Sequence, residues 1–179
     1  MHSLGCAQCA VELAKLYNQD TNKAYIAGLV HDCAKNFDND KLIDIVRNEV
    51  KTGFSESEIK NPKTYHAIAG AYLIQKEFEI DDKEIIQAVR FHTIGSLDMT
   101  LFDKIIFLAD KIEPNGREAS YSRKMWNIMK KHKGVVGLDL ALLKCYCETI
   151  KSLVDRNLYI CPTSVDVYNF LQDSVGELL

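Results

Sequence analysis

Proline and glycine are scarce in this chain, three and nine residues in 179, and no Gly/Ser-rich or Pro-rich stretch suggests a linker between domains. Long apolar runs are missing as well. Nothing reaches the roughly 18 consecutive apolar residues that a membrane-spanning helix needs, so no membrane partner is expected. The start, Met1-His2-Ser3-Leu4, lacks a basic segment and a long apolar stretch, so no signal peptide is visible and a cytoplasmic location is the expectation. Positive charge is not in excess: 22 Lys and Arg stand against 25 Asp and Glu, a net charge of −3. That balance argues against nucleic acid, whose phosphates need a basic face, but leaves room for a small anionic ligand at a local cationic site. Alternating strand-like patterns of useful length are absent too.

Cysteine is present, six residues in all, but not in a spacing that chemistry would use. Cys6 and Cys9 form a C-x-x-C within an amphipathic helical pattern, without the βαβ context of a redox motif. Cys145 and Cys147 point to different sides of a helix, and Cys33 and Cys161 stand alone. Reduced, packed thiols are the expectation.

Helical periodicity fills nearly everything else. Apolar residues recur every three to four positions from Leu4 to Tyr17. A second helix is expected from Lys23 to Cys33, and a third opens at Asp40 and ends by Gly53. Ser55-Glu56-Ser57-Glu58 caps a short helix before Pro62. Further helices are expected over 64–78, from Asp81-Asp82 through His92, over 100–112 up to Pro114, over 122–131, over 137–156 and from Ser164 onward. With 47% hydrophobic residues, the chain has enough apolar material for one core. The expected fold is all-α, a compact helical bundle, read as a single domain over 1–179.

The apolar run of the second helix ends on His31-Asp32. Around this pair stand His2, His66, His92 and Asp110, each in a different helical segment and so able to return to one point in a bundle. Asp110 follows Ile105-Ile106-Phe107-Leu108-Ala109, and a carboxylate entering so apolar a run needs a partner. Imidazole and carboxylate together bind divalent transition metals, which turn water into a nucleophile near neutral pH. Taken singly, His66 or His92 reads as an ordinary core or surface histidine, Asp110 as a partner for Lys111 or Arg90, and His2 as a frayed end. The ordered set, rather than any member, points to a metal-dependent hydrolase. His132, among lysines, reads as solvated. Tyr65, Phe91 and Trp126 could stack on a base, yet as core residues they need no such role.

The order H…HD…H…H…D resembles that of the HD-domain phosphohydrolases, and four words resemble one branch, the YqeK family. These are His31-Asp32-Cys33-Ala34-Lys35, His66-Ala67-Ile68-Ala69-Gly70-Ala71, His92-Thr93-Ile94-Gly95 followed by Met99, and Ile106-Phe107-Leu108-Ala109-Asp110-Lys111-Ile112-Glu113-Pro114. The resemblance spans almost the whole chain. It implies an HD-domain helical bundle that hydrolyses diadenosine tetraphosphate symmetrically to two ADP, a hydroxide held by the metals attacking phosphorus. It implies a dinuclear iron or related centre, with manganese or zinc as alternatives. In it Asp32 bridges two ions, His2, His31 and Asp110 complete one, and His66 and His92 the other. Lys35 is placed to meet phosphate or steady the leaving group, and Arg117 and Arg123 match two family arginines that could grip outer phosphates. Two departures are visible: the family carries a further short helix before its first histidine, whereas here His2 follows Met1, and the stretch after Pro114 differs from the family's E-P-x-R. Other readings stay open: an HD phosphohydrolase for a mononucleotide, a cyclic nucleotide or an alarmone, or a metal-bearing nucleotide sensor without catalysis. A homodimer also stays open as the assembly.

Overall fold

The computed structural model describes residues 1–116 and 118–178. Among these, ten α-helices follow one another without a strand: α1 (His2–Leu16), α2 (Thr21–Val30), α3 (Asn39–Asp44), α4 (Glu56–Ile59), α5 (Tyr65–Glu77), α6 (Lys83–Phe91), α7 (Leu101–Ile112), α8 (Ala119–Lys131), α9 (Val135–Asp155) and α10 (Pro162–Val175). The all-α expectation holds. Short polar side chains start the helices where the sequence places them. Asp20 accepts from the amides of Asn22 and Lys23, and Asp82 from those of Glu84 and Ile85. Ser55 with Glu58, and Thr100 with Asp103, close reciprocal capping boxes on α4 and α7.

Helix α7 is the axis of the core. Its Ile105, Ile106, Leu108 and Ile112 are fully buried, each contributing about 1.5–3 kcal/mol by leaving water. Helices α1, α2, α6, α8 and α9 pack around it. Phe107 stacks on Tyr146 of α9, ring centroids 4.9 Å apart. Helix α1 lies close against α2 because position 28 is glycine; a Cβ there would collide with the backbone of Ala7. A second apolar cluster, Leu42, Val46, Tyr65 and Ile68, seats α3 and α5.

Expected helix bounds shift in several places, α8 opening at Ala119 rather than 122 and α9 at Val135 rather than 137. The second helix stops at Val30 rather than Cys33, and residues 31–37 continue as a series of tight turns, with the amides of Cys33, Lys35 and Phe37 bonding the carbonyls of Val30, Asp32 and Ala34. The third helix widens after Asp44 into a π-helical stretch, Ile45–Val50, and closes on Lys51 at φ 64°. No disulfide links any cysteine, and Cys6, Cys9, Cys145 and Cys161 are buried. No helix is long and apolar enough to cross a membrane among the described residues.

Candidate metal centre

His31 and His92 occupy equivalent places in the chain: each is the first residue after a helix, α2 and α6 respectively. A helix C-terminus leaves carbonyls without amide partners. Each histidine turns its Nδ1 back onto one of them, His31 onto Gly28 O at 2.8 Å and His92 onto Val89 O at 2.6 Å. A carbonyl only accepts, so Nδ1 carries a proton, and an ion that takes the place of any second proton would meet a lone pair at Nε2. His2, at the first turn of α1, is held the same way by a carboxylate: its Nδ1 donates to Glu113 Oε1 at 3.0 Å. Glu113 is fully buried and its other oxygen accepts from the Asn115 amide at 2.8 Å. Glycine at 5 and at 116 makes room for it, since a Cβ at either position would strike the Glu113 carboxylate.

Adjacent residues share the site although His31 keeps helical backbone angles, φ −53° and ψ −36°; the two side chains meet at their tips. Asp32 Oδ2 stands 3.4 Å from His2 Nε2 and from His31 Nε2, while its Oδ1 stands 3.5 Å from His66 Nε2 and 3.4 Å from His92 Nε2. From the buried stretch of α7, Asp110 Oδ1 reaches 3.0 Å from His2 Nε2 and 3.4 Å from His31 Nε2. Two groups of donor atoms result, one from His2, His31, Asp32 and Asp110, the other from Asp32, His66 and His92, each set lying within 4.8 Å. All six residues that the sequence singles out as ligands are thus brought together, with one Asp32 oxygen on each side.

Unmet polar atoms test whether ions fit. His2 Nε2, His31 Nε2 and Asp32 Oδ1 are buried without a hydrogen-bond partner, and buried groups left unsatisfied are costly. His66 Nε2 and His92 Nε2 face each other at 3.2 Å, an arrangement of ring nitrogens that a shared cation would relieve. Burial raises the Asp32 carboxyl, yet the neighbouring His31 and His92 rings outweigh it and hold Asp32 well below the usual carboxylate range. Burial lowers His31, but Asp110 and Asp32 carry it up to about 12. Burial, with His92 alongside, pushes His66 down to about 4. The carboxylates therefore demand positive charge that a divalent ion can supply. A mixed nitrogen and oxygen donor set suits iron, manganese or zinc better than magnesium or calcium.

The centre opens on a cleft of about 730 Å³, which Asp32, His66, His92 and Asp110 line. Lys35, Lys60, Lys63 and Lys111 line it, a local cationic surface on an acidic chain. Lys35 Nζ sits 2.6 Å from Asp32 Oδ2, and Lys111 Nζ 2.6 Å from Asp110 Oδ2. Thr93 Oγ1 lies beside both ring nitrogens, 3.3 Å from His66 Nε2 and 3.2 Å from His92 Nε2. Arg123 is not brought here. The buried stripe of α8 runs through Ser122, Met125 and Met129, so position 123 faces outward and lines a separate groove with Lys124 and Lys131. Arg117 lies outside the described residues. Tyr65, Phe91 and Trp126 pack against the core rather than line the cleft.

Sequence reasoning gave no role to Glu113, Lys60, Lys63 or Thr93, and read Lys111 only as an ion-pair partner for Asp110. Glu113 was legible only as part of a word at a helix end; its contact with His2 spans 111 residues of chain. Glu113→Gln keeps the shape but not the charge that fixes the His2 ring. We expect that substitution to weaken ion binding at the His2 group about 10- to 100-fold, measured by metal titration of the purified variant, and His66–His92 binding to change less.

Beyond the ligands, the turn after His92 is pinned from the C-terminal part of the chain. Ile94 O accepts from Tyr146 Oη of α9 at 3.1 Å and from Ser164 Oγ of α10 at 3.3 Å. Gly95 follows at φ 80°, where a Cβ would also strike the Tyr146 hydroxyl.

Comparison with known proteins agrees with this geometry. Residues 1–115 match the HD domain family. The chain is 35% identical over 173 residues to a protein of Halalkalibacterium halodurans named bis(5'-nucleosyl)-tetraphosphatase, symmetrical, the alignment covering 95% of this chain and 87% of that one. It is 33% identical over 172 residues to a Bacillus subtilis protein of the same name, covering 96% and 88%. Among solved structures it is similar to a "predicted HD superfamily hydrolase involved in NAD metabolism" from Clostridium acetobutylicum, with a TM-score of 0.86 and 39% identity, covering 97% of this chain and 88% of that one.

Proposed function

The chain belongs to the HD domain family, among relatives named symmetrical bis(5'-nucleosyl)-tetraphosphatases, and from that premise we propose that it hydrolyses diadenosine tetraphosphate at the middle of its phosphate chain, giving two ADP. The observation that carries the reading is the pair of donor groups sharing Asp32 and opening on a lysine-lined cleft. His2, His31, Asp32 and Asp110 would hold one ion, and Asp32, His66 and His92 a second, with iron the first expectation and manganese or zinc the alternatives. Bound divalent ions supply Lewis acidity, lowering the pKa of water and offsetting charge on phosphoryl oxygens.

The protein's own groups do the rest. Gly28 O, Val89 O and Glu113 hold the rings of His31, His92 and His2 so that Nε2 faces inward without rearrangement. Lys35, half-exposed beside Asp32, and Lys111, beside Asp110, line the cleft and would meet the phosphoryl oxygens of a bound substrate. Each ammonium can exchange its carboxylate for phosphate and favour the extra charge that develops as the anhydride breaks. Lys60 and Lys63 sit on the turn between α4 and α5. That turn is fixed by Thr64 Oγ1 on Glu58 O at 2.8 Å and Tyr65 Oη on Ile59 O at 2.6 Å. They offer two more cations to a chain of four phosphates.

A substrate panel tests the reading. With manganese- or iron-loaded protein, kcat/KM for diadenosine tetraphosphate is expected to exceed that for mononucleotides, cyclic nucleotides and 3'-pyrophosphorylated nucleotides by at least about ten-fold, the worth of 1.4 kcal/mol in the transition state. A preference for any of those would assign the site to a different phosphohydrolase, and ion binding without turnover would make the chain a nucleotide sensor.

A further inference from the structure

Part of the cleft lining comes from the end of α9 and its link to α10, beyond the residues that match the HD domain. Its geometry follows from how α9 ends. Arg156 closes the helix, Asn157 takes φ 51°, the Asn157 amide bonds Val154 O at 3.0 Å, and the Leu158 amide bonds Leu153 O at 2.9 Å. This is the paired 5→2 and 6→1 pattern of a Schellman cap, and it places the residue after the left-handed position against the last turn of the helix. Leu158 and Leu153 both line the cleft, and Tyr159 follows them there. Tyr159 is the one Phe, Tyr or Trp in the cleft lining among the described residues, and it is 45% exposed. The segment is not loose. Two residues on, Cys161 is buried, Pro162 starts α10, and Ser164 bonds Ile94 O beside the His92 turn. An aromatic residue beside two apolar cleft-lining leucines is thus tied, through three residues of α10's start, to the element that carries a candidate ligand.

From this we infer that Tyr159, beside Leu153 and Leu158, is the nucleobase platform of the cleft, on which one base of the substrate stacks while its phosphates meet the lysines and the centre. The inference rests on the proposed nucleotide hydrolysis and adds the group that recognises the nucleoside. An aromatic face accepts any base without hydrogen-bond readout, so Tyr159 sets preference for nucleoside-capped over bare phosphates rather than for adenine over guanine. Among the exposed aromatics, Tyr25, Phe78 and Phe170 lie outside this cleft.

Calorimetric binding to the manganese-loaded full chain tests it with two probes: ADP, and inorganic pyrophosphate, which has the phosphates without the base. Tyr159→Ala is expected to raise the Kd for ADP on the order of ten-fold, within the range of a lost base–aromatic stack. Pyrophosphate affinity is expected to change by less than about two-fold, and Tyr159→Phe to bind ADP as the wild type does, both because the face alone acts. Equal ADP binding by Tyr159→Ala and wild type would overturn the platform, and so would equal losses for ADP and pyrophosphate. Cleavage of diadenosine tetraphosphate by the wild type, assayed alongside, separates the two claims: a wild type that fails to cleave but loses ADP with Tyr159→Ala refutes the hydrolase reading and upholds the platform.

Discussion

Asp32→Asn is expected to lower kcat/KM for diadenosine tetraphosphate by about 10³-fold or more, the scale of removing a group on which the whole ion-dependent rate depends. The reason is geometric. Oδ1 of Asp32 faces His66 and His92, while Oδ2 faces His2, His31 and Lys35. An amide keeps one acceptor and turns the other into a donor, so it cannot serve both sides. It also removes the negative charge that draws a cation to either group. Elemental analysis of the variant should show loss of metal from the whole centre, whereas His66→Ala should spare the group built on His2, His31 and Asp110. An Asp32→Asn enzyme within about ten-fold of wild type would contradict a shared centre, because a tenfold change is only 1.4 kcal/mol.

Stripping the protein with a chelator is the second large effect. Turnover should vanish and return with manganese or iron, and far less with magnesium, whose preference is for oxygen donors and retained waters. Stability should fall in parallel. An ion present at 100 times its Kd stabilises by about 2.7 kcal/mol, and for a chain of this size each kcal/mol moves Tm by about 2–4 °C. Removing it should therefore lower Tm by roughly 5–10 °C, read by calorimetry. The sign follows from the site: taking away the cation leaves buried Nε2 atoms and Asp32 Oδ1 without the partner that the donor set is arranged to hold. Full activity after exhaustive stripping, or equal rescue by magnesium, would contradict the donor-set argument.

How much of this was legible in the sequence divides along physical lines. Helical periodicity over 4–17, 85–92 and 101–112 reports a buried stripe, and the helices lie there. Capping chemistry is local, so Ser55 with Glu58 could be read directly and is found. Asp110 could be picked out because an apolar run makes a lone carboxylate conspicuous. Helix ends were less legible. His31 looks like the next helical residue, yet α2 stops before it and its ring bonds Gly28 O, a contact that propensity does not report. The π-helical stretch at Ile45–Val50 leaves no mark in a 3.6-residue pattern. Glu113, Lys60, Lys63 and Tyr159 depend on contacts between distant segments, and a glutamate before a proline or a tyrosine after a helix carries no local sign of such a role. Arg123 shows the converse: matched by word order, it lies on a face of α8 that the cleft does not include.

That a centre built on Asp32 cuts a four-phosphate chain at its middle is tested by the product distribution. Diadenosine tetraphosphate incubated with manganese- or iron-loaded protein, and resolved by chromatography at early times, should give ADP as the sole nucleotide product, with none from Asp32→Asn. ATP and AMP in equal amounts, or undiminished ADP formation by Asp32→Asn, would contradict it.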